Sequence, residues 1–168
     1  RERSSRDIHP RAGGDPVEEN LLSDSSALRS AQDPAAYSFW VDEHVRFADL
    51  DVLGHVNNKA FFTFAESGRV VFLKTTGLWK PGAQRQGVIV RAEMDYHREL
   101  HYPASLRIGM RVLKIGRTSF SLGLGMFNGE HCVATNLTVV VRIDTQTREP
   151  VALNEEELAG IQPYLATP

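Results

Sequence analysis

The stretch that decides the fold is Asp49-Leu50-Asp51-Val52-Leu53-Gly54-His55-Val56-Asn57-Asn58, together with the segment it opens, Lys59 to Thr76. In that second segment Ala60, Phe61, Phe62, Phe64, Ala65, Val70, Val71, Phe72 and Leu73 cover most of a helix circumference. A helix apolar nearly all round has to be largely buried by the rest of its domain. Asn57 or Asn58 is placed to cap its N-terminus, and Gly77 to supply the residue just past its end. Ahead of the loop, Phe39, Val41, then Val45 and Phe47 alternate with other residues, which predicts a strand with one buried face.

After the helix the pattern changes from helical to period two. Val88, Val90, Ala92, Met94 and Tyr96 alternate, as do Leu106, Ile108, Met110 and Val112, then Phe120, Leu122, Leu124 and Met126. Val133, Thr135, Leu137, Val139 and Val141 form the last long run. Tyr102-Pro103, Gly116-Arg117 and Asn128-Gly129 separate these segments, and Asn-Gly between alternating runs is a strong hairpin signal. Pro150 ends the last connection, and Asn154 to Ile161 reads as a short capped helix with Glu155, Glu156 and Glu157 in its first turn. The expected class is therefore α+β, a long buried helix wrapped by a curved antiparallel sheet of about five strands.

All Phe, Trp and Tyr residues lie at or after Tyr37, whereas residues 1–36 are rich in Ser, Asp, Glu, Arg, Pro and Gly. Such a segment buries too little apolar surface to offset its ordering entropy, so it is expected to be a disordered or loosely attached tail. Glu19 to Ser23 is its one candidate for a short helical turn. Residues 37–168 are expected to form a single domain, consistent with a 168-residue chain. The tail carries five basic and seven acidic residues, which leaves the remainder balanced at fourteen of each sign. With a formal net charge of −2, no overall positive field favours nucleic acid or an anionic membrane. Cys132 is the sole cysteine, which excludes an intrachain disulfide framework and any CxxC motif. No apolar run reaches the roughly 18–20 residues of a membrane span, and no apolar core of a secretory signal stands at the N-terminus. A reducing, cytoplasmic setting is the resulting expectation.

Arg46 to Asn58 resembles the DxDxxGHVNN signature of the 4-hydroxybenzoyl-CoA thioesterase family of acyl-CoA thioester hydrolases. The likeness runs through the helix to Arg69 and more loosely over Phe39 to Asp144. It implies the hotdog fold, hydrolysis of an acyl-CoA, and a homodimer or homotetramer with active sites at the dimer interface. Sheet edges and a helix flank left uncovered by a single unit point the same way.

A carboxylate just ahead of a helix can attack a thioester carbonyl or activate a water, and Asp51 is so placed; an Asx-turn role is the alternative. The resemblance assigns Asp51 as the catalytic carboxylate and leaves Asp49 to bond loop N–H groups. Asn58 opens the helix, so its backbone N–H and the helix dipole can stabilise an oxyanion. The resemblance implies that role too, while an N-capping role uses only the side chain. His55 can bond the substrate carbonyl or hold the carboxylate, or be structural. A similar segment in plant acyl-carrier-protein thioesterases supplies catalytic Asp, Asn and His, but Leu53 stands here where that Asn stands.

Glu66 is an acid in a helix that reads as buried, so it needs a partner. Arg69 is one candidate for an ion pair; the resemblance implies instead a cavity-facing acid that positions water. Arg111, Lys114 and Arg117 concentrate cations on one hairpin, suited to coenzyme A phosphates or simply to a solvated edge. Of the Arg-Arg-Lys cluster that some relatives carry there, only Arg117 matches. Phe61, Phe62, Phe64 and Trp79 are candidates for an acyl or aryl pocket, or for plain core. His97, His101 and His131 lack the spacing of a helical zinc site, so neither metal nor cofactor is expected beyond the coenzyme A of the substrate. The competing readings are a thioesterase acting on acyl carrier protein and a non-catalytic acyl-CoA-binding hotdog protein. No hydratase motif and no His-Phe-Pro-Gly dehydratase segment are present.

Overall fold

A computed structural model describes residues 31–166. The elements run β1 (Phe39–His44), α1 (Asn58–Thr75), β2 (Arg85–Tyr96), β3 (Ser105–Ile115), β4 (Ser119–Asn128), β5 (His131–Asp144) and α2 (Glu155–Ile161). All five strands form one antiparallel sheet in the order β1-β3-β4-β5-β2, and α1 lies in its concavity: the expected hotdog arrangement.

The signals at both ends of α1 act where expected, while the helix itself begins and ends one residue earlier than Lys59 and Thr76. Asn57 is the N-cap, its side chain accepting from the Lys59 N–H at 3.1 Å, so Asn58 is the first helical residue and not the cap. Gly77 follows the helix with φ 76°, where only a residue lacking Cβ sits without strain. Phe64, Ala65 and Phe72 are fully buried against Leu106, Ile108 and Met110 of β3 and Leu122 and Leu124 of β4. The expectation of burial all round is corrected: Phe62, Val70 and Val71 stay about 40% exposed, because a single sheet covers only one flank of the helix.

The sheet departs from simple alternation in three places. Phe47 ends no strand: Phe47–Asp49 is a 3-10 turn, and the Phe47 ring is exposed beside Tyr102. In β2 the pairing shifts between Ile89 and Arg91, so Val90 is the bulged residue and the strand changes face there. In β5 the core face holds Ala134, Asn136, Thr138 and Val140, opposite the buried Met126, Leu124, Leu122 and Phe120. The odd-numbered Leu137, Val139 and Val141 face outward and are half-buried. Polar side chains are tolerated inside because they bond one another. Thr138 Oγ1 donates to Asn136 Oδ1 at 2.7 Å, Asn136 Nδ2 donates to the Glu93 carbonyl at 2.7 Å, and Arg69 reaches Thr138 at 3.5 Å.

Residues 1–30, with the helical turn expected at Glu19 to Ser23, lie outside the described residues. Ala31 is buried, and its carbonyl accepts from the Tyr37 hydroxyl at 2.6 Å. Tyr37, Trp40 and Phe127 stack edge to face as a second cluster on the outer face of the sheet. Gly109 and Gly125 make room for it: a Cβ at either would lie 2.5–2.6 Å from Tyr37 atoms. Asn154 caps α2 through a reciprocal box with Glu157, as its sequence predicts.

Candidate active site

The motif loop is held by its own backbone and by Asp51. Asp51 N donates to the His55 carbonyl at 2.8 Å and Gly54 N to the Asp51 carbonyl at 3.1 Å. The Asp51 carboxylate accepts from the Leu53 N–H at 2.8 Å and the His55 N–H at 3.1 Å, both on Oδ1. That is the Asx-turn geometry, and it leaves Oδ2 to face the cavity or solvent. Asp49 fastens the loop base. Its Oδ2 accepts from Arg46 N, and its carbonyl accepts from Asn57 N, each at 2.8 Å. Gly54, with φ 80°, makes the reversal that brings His55 back over Asp51.

A cavity of about 310 Å³ opens beside this loop, lined by Asp51, His55, Val56, Asn58 and Phe61 on one side. The other wall is Tyr96, His97, Arg98, Glu99 and Leu100, where β2 runs out. In the sequence Tyr96 ends a period-two run and His97 lacks the spacing of a helical zinc site, while Arg98 and Glu99 carry no signal at all. What brings this wall to the loop is backbone pairing, Val56 N donating to the Leu100 carbonyl at 2.8 Å. The Tyr96 hydroxyl donates to the Asn58 carbonyl at 3.3 Å, and burial raises its pKa. The Tyr96 ring meets Phe61 edge to face, so Phe61 is at once cavity wall and buried core.

Asn58, the first residue of α1, lines the cavity together with Asp51, so the N-terminal end of the helix lies on it. A carboxylate and a helix-terminal N–H on one cavity are the two groups that addition to a carbonyl requires: a base or nucleophile, and a donor for the oxyanion. The His55 ring points toward the opposite wall. Its Nε2 lies 3.7 Å from Glu99 Oε2, and its ring meets that of His101 at 4.9 Å. It is the backbone of His55, not the imidazole, that bonds the Asp51 carboxylate.

The remaining expected residues lie elsewhere. Glu66 is exposed, not buried, on the uncovered flank of α1 with Phe62, and neither lines this cavity. The buried member of the expected Glu66–Arg69 pair is Arg69, whose pKa is lowered by burial while the Glu66 charge opposes that shift. Lys114 and Arg117 are exposed on the β3–β4 hairpin. The cavity is joined to the opposite end of β3, at the Ser105 side, roughly 30 Å away at ~3.4 Å per strand residue. One chain therefore does not bring these cations to Asp51.

A second cavity, of about 250 Å³, is walled by Leu78, Arg85, Arg142, Asn154 and Glu157. Here Glu157 is buried and takes hydrogen bonds from Arg85 at 2.8 Å, from Arg142 at 2.6 Å and from Asn154 N at 3.0 Å. Burial by itself would raise the Glu157 pKa, but these donors outweigh it and hold the carboxyl at about 2. Every charge in this cluster is answered from within, so it fastens α2 to the sheet.

The family model of the thioesterase-like superfamily matches residues 45–161. The uncharacterized protein YsmA of Bacillus subtilis (strain 168) is 29% identical over 124 residues, which cover 73% of this chain and 84% of that protein. A thioesterase superfamily structure from Jannaschia sp. CCS1 is 27% identical with a TM-score of 0.72, covering 84% of this chain and 94% of that one. The structure of a Thermus thermophilus thioesterase complexed with coenzyme A and Zn is also 27% identical, with a TM-score of 0.69 over 79% of this chain and 98% of that one. The matched span takes in the motif loop, α1, strands β2 to β5 and α2, and this chain belongs to the thioesterase-like superfamily.

Proposed function

We propose that this protein is an acyl-CoA thioester hydrolase of the 4-hydroxybenzoyl-CoA thioesterase kind, with Asp51 as nucleophile or general base. The observation that carries the reading is that Asp51 and Asn58, the residue that opens α1, line one cavity. The thioester carbonyl oxygen takes the Asn58 N–H, which stabilises the negative charge formed on attack. As base, Asp51 removes a proton from a water that adds to the carbonyl carbon. As nucleophile, its carboxylate adds directly and water cleaves the resulting anhydride. In both routes the C–S bond breaks, the thiolate of coenzyme A leaves and takes up a proton, and the free acid remains.

The complete site in this proposal contains two chains. β2 is an edge strand with no buried residue, and Ile89 and Val90 are exposed on it, as Phe62, Val70 and Val71 are on α1. Pairing there covers Phe62 and Glu66 and lets a second copy supply what one chain lacks, Glu66 and the Lys114–Arg117 hairpin included.

The test is free-thiol release from short, long and aromatic acyl-CoAs by the purified protein, with Asp51→Asn in parallel. Turnover that disappears in Asp51→Asn, with fold and oligomer intact, supports the reading. Turnover only with acyl-carrier-protein thioesters favours that substrate class, binding without turnover favours the non-catalytic reading, and equal turnover by both proteins removes Asp51 from the mechanism.

A further inference from the structure

Three side chains at the cavity converge at ion-pair distance with no hydrogen bond between them. Glu99 Oε2 lies 3.7 Å from His55 Nε2 and 3.7 Å from His101 Nε2, and one ligand atom from each residue falls within 4.8 Å of the others. A gap of 3.7 Å is too long for a hydrogen bond. It is close to the span of two bonds of ~2.1 Å to an ion held between, meeting at a wide angle.

The tautomer points the same way. His101 Nδ1 lies 3.3 Å from the Gly54 carbonyl, a group that can only accept, so the ring donates Nδ1–H there. That leaves the lone pair of a neutral His101 on Nε2, facing the carboxylate. The imidazole lone pair and the carboxylate face each other stably only with a positive charge between them, and a metal ion can supply it in place of a proton. An imidazole anchored through one nitrogen to a backbone carbonyl and open at the other is how metal-binding histidines are oriented.

We propose that His55, Glu99 and His101 form a binding site for a divalent ion of the zinc class at the mouth of the Asp51 cavity. Two imidazoles and one carboxylate suit zinc or cobalt better than calcium or magnesium, which favour oxygen ligands throughout. Three protein ligands leave a fourth position for water or a ligand donor. His55 and His101 approach each other by up to about 1.4 Å on binding, and their side chains are 34% and 59% exposed, enough to rotate. The site was not expected from the sequence because its ligands are split between the motif loop and the segment after β2, with no helical spacing to mark them.

The inference stands apart from the thioester reading, since its readout is metal binding and not turnover. Tag-free full-length protein, stripped with chelator, is titrated with cobalt(II) and then with zinc(II) against a chromophoric chelator. The expected result is one ion per chain, absorption bands of low-coordinate cobalt displaced by zinc, and affinity at least ~10-fold weaker in both His101→Ala and Glu99→Gln. Asp51→Asn keeps the ion, because Asn retains the Oδ1 that holds the loop, so lost hydrolysis and lost metal are separable. Parent protein that takes up no cobalt overturns the proposal, as does either rim variant that binds like the parent while folded by circular dichroism.

Discussion

The two cavities contain charged groups of similar type and treat them in opposite ways. Around Glu157 the donors and acceptors match: two arginines and a backbone N–H meet one carboxylate, and Arg142 spends its other hydrogens on the Leu78 and Arg85 carbonyls. Around Asp51 they do not. Oδ1 is occupied by the loop, while the His55 ring and Glu99 meet only at 3.7 Å, and Asn58 brings the start of α1 to the same cavity. A saturated cluster holds parts together and has nothing left for a ligand. An unsaturated one costs stability and keeps groups available for a molecule still to arrive.

Substitution separates the two kinds of site. The largest effect is expected at Asp51→Asn, with hydrolysis reduced about a thousandfold and the thermal midpoint nearly unchanged. Asn keeps the Oδ1 acceptor for Leu53 and His55 and loses only the charge. Next comes Glu157→Gln, whose expected effect is the reverse: about 3 kcal/mol lost in urea unfolding, because Arg142 is left buried beside a neutral amide. The Glu157 pKa is depressed on folding, so its contribution is complete above the ordinary carboxylate value of 4.5 and is lost as pH falls toward about 2. Across that window the parent should lose more stability than Glu157→Gln. Equal acid sensitivity of the two proteins would erase the contrast between the clusters.

How far the sequence shows these sites follows from how local they are. The Asp51 loop, the α1 cap at Asn57, the Gly77 terminus and the Asn154 box are contiguous, and each is written in neighbouring residues. The opposite wall of the cavity is not, because Tyr96 to Leu100 reaches the loop only through sheet pairing. One bulged residue, Val90, reverses the facing of β2, and no alternation rule registers it. β5 misleads for a different reason. Both its faces are nearly covered, so valines sit outward while Asn136 and Thr138 take the core side with Arg69 beneath. Glu66 reads as buried because its neighbours are apolar, yet the flank it occupies has no cover within one chain.

Smaller substitutions near Glu157 show where saturation ends. Asn154→Ala removes the side-chain acceptor for the Glu157 N–H but leaves the Asn154 N–H that serves the carboxylate, so only the cap is lost, about 1 kcal/mol in urea unfolding. Lys80→Ala has the least effect. Lys80 Nζ lies 3.0 Å from Glu156 Oε1 on the rim of the same cavity, nearly as close as the pairs beneath it. The two side chains are 61% and 75% exposed, so water already solvates both and the pair screens away with salt. A loss under about 0.5 kcal/mol, vanishing at high salt, is expected. A larger loss that persists in salt would mean that the network around Glu157 extends to the surface, and that burial is not what divides the charges fastening α2 from those merely beside them.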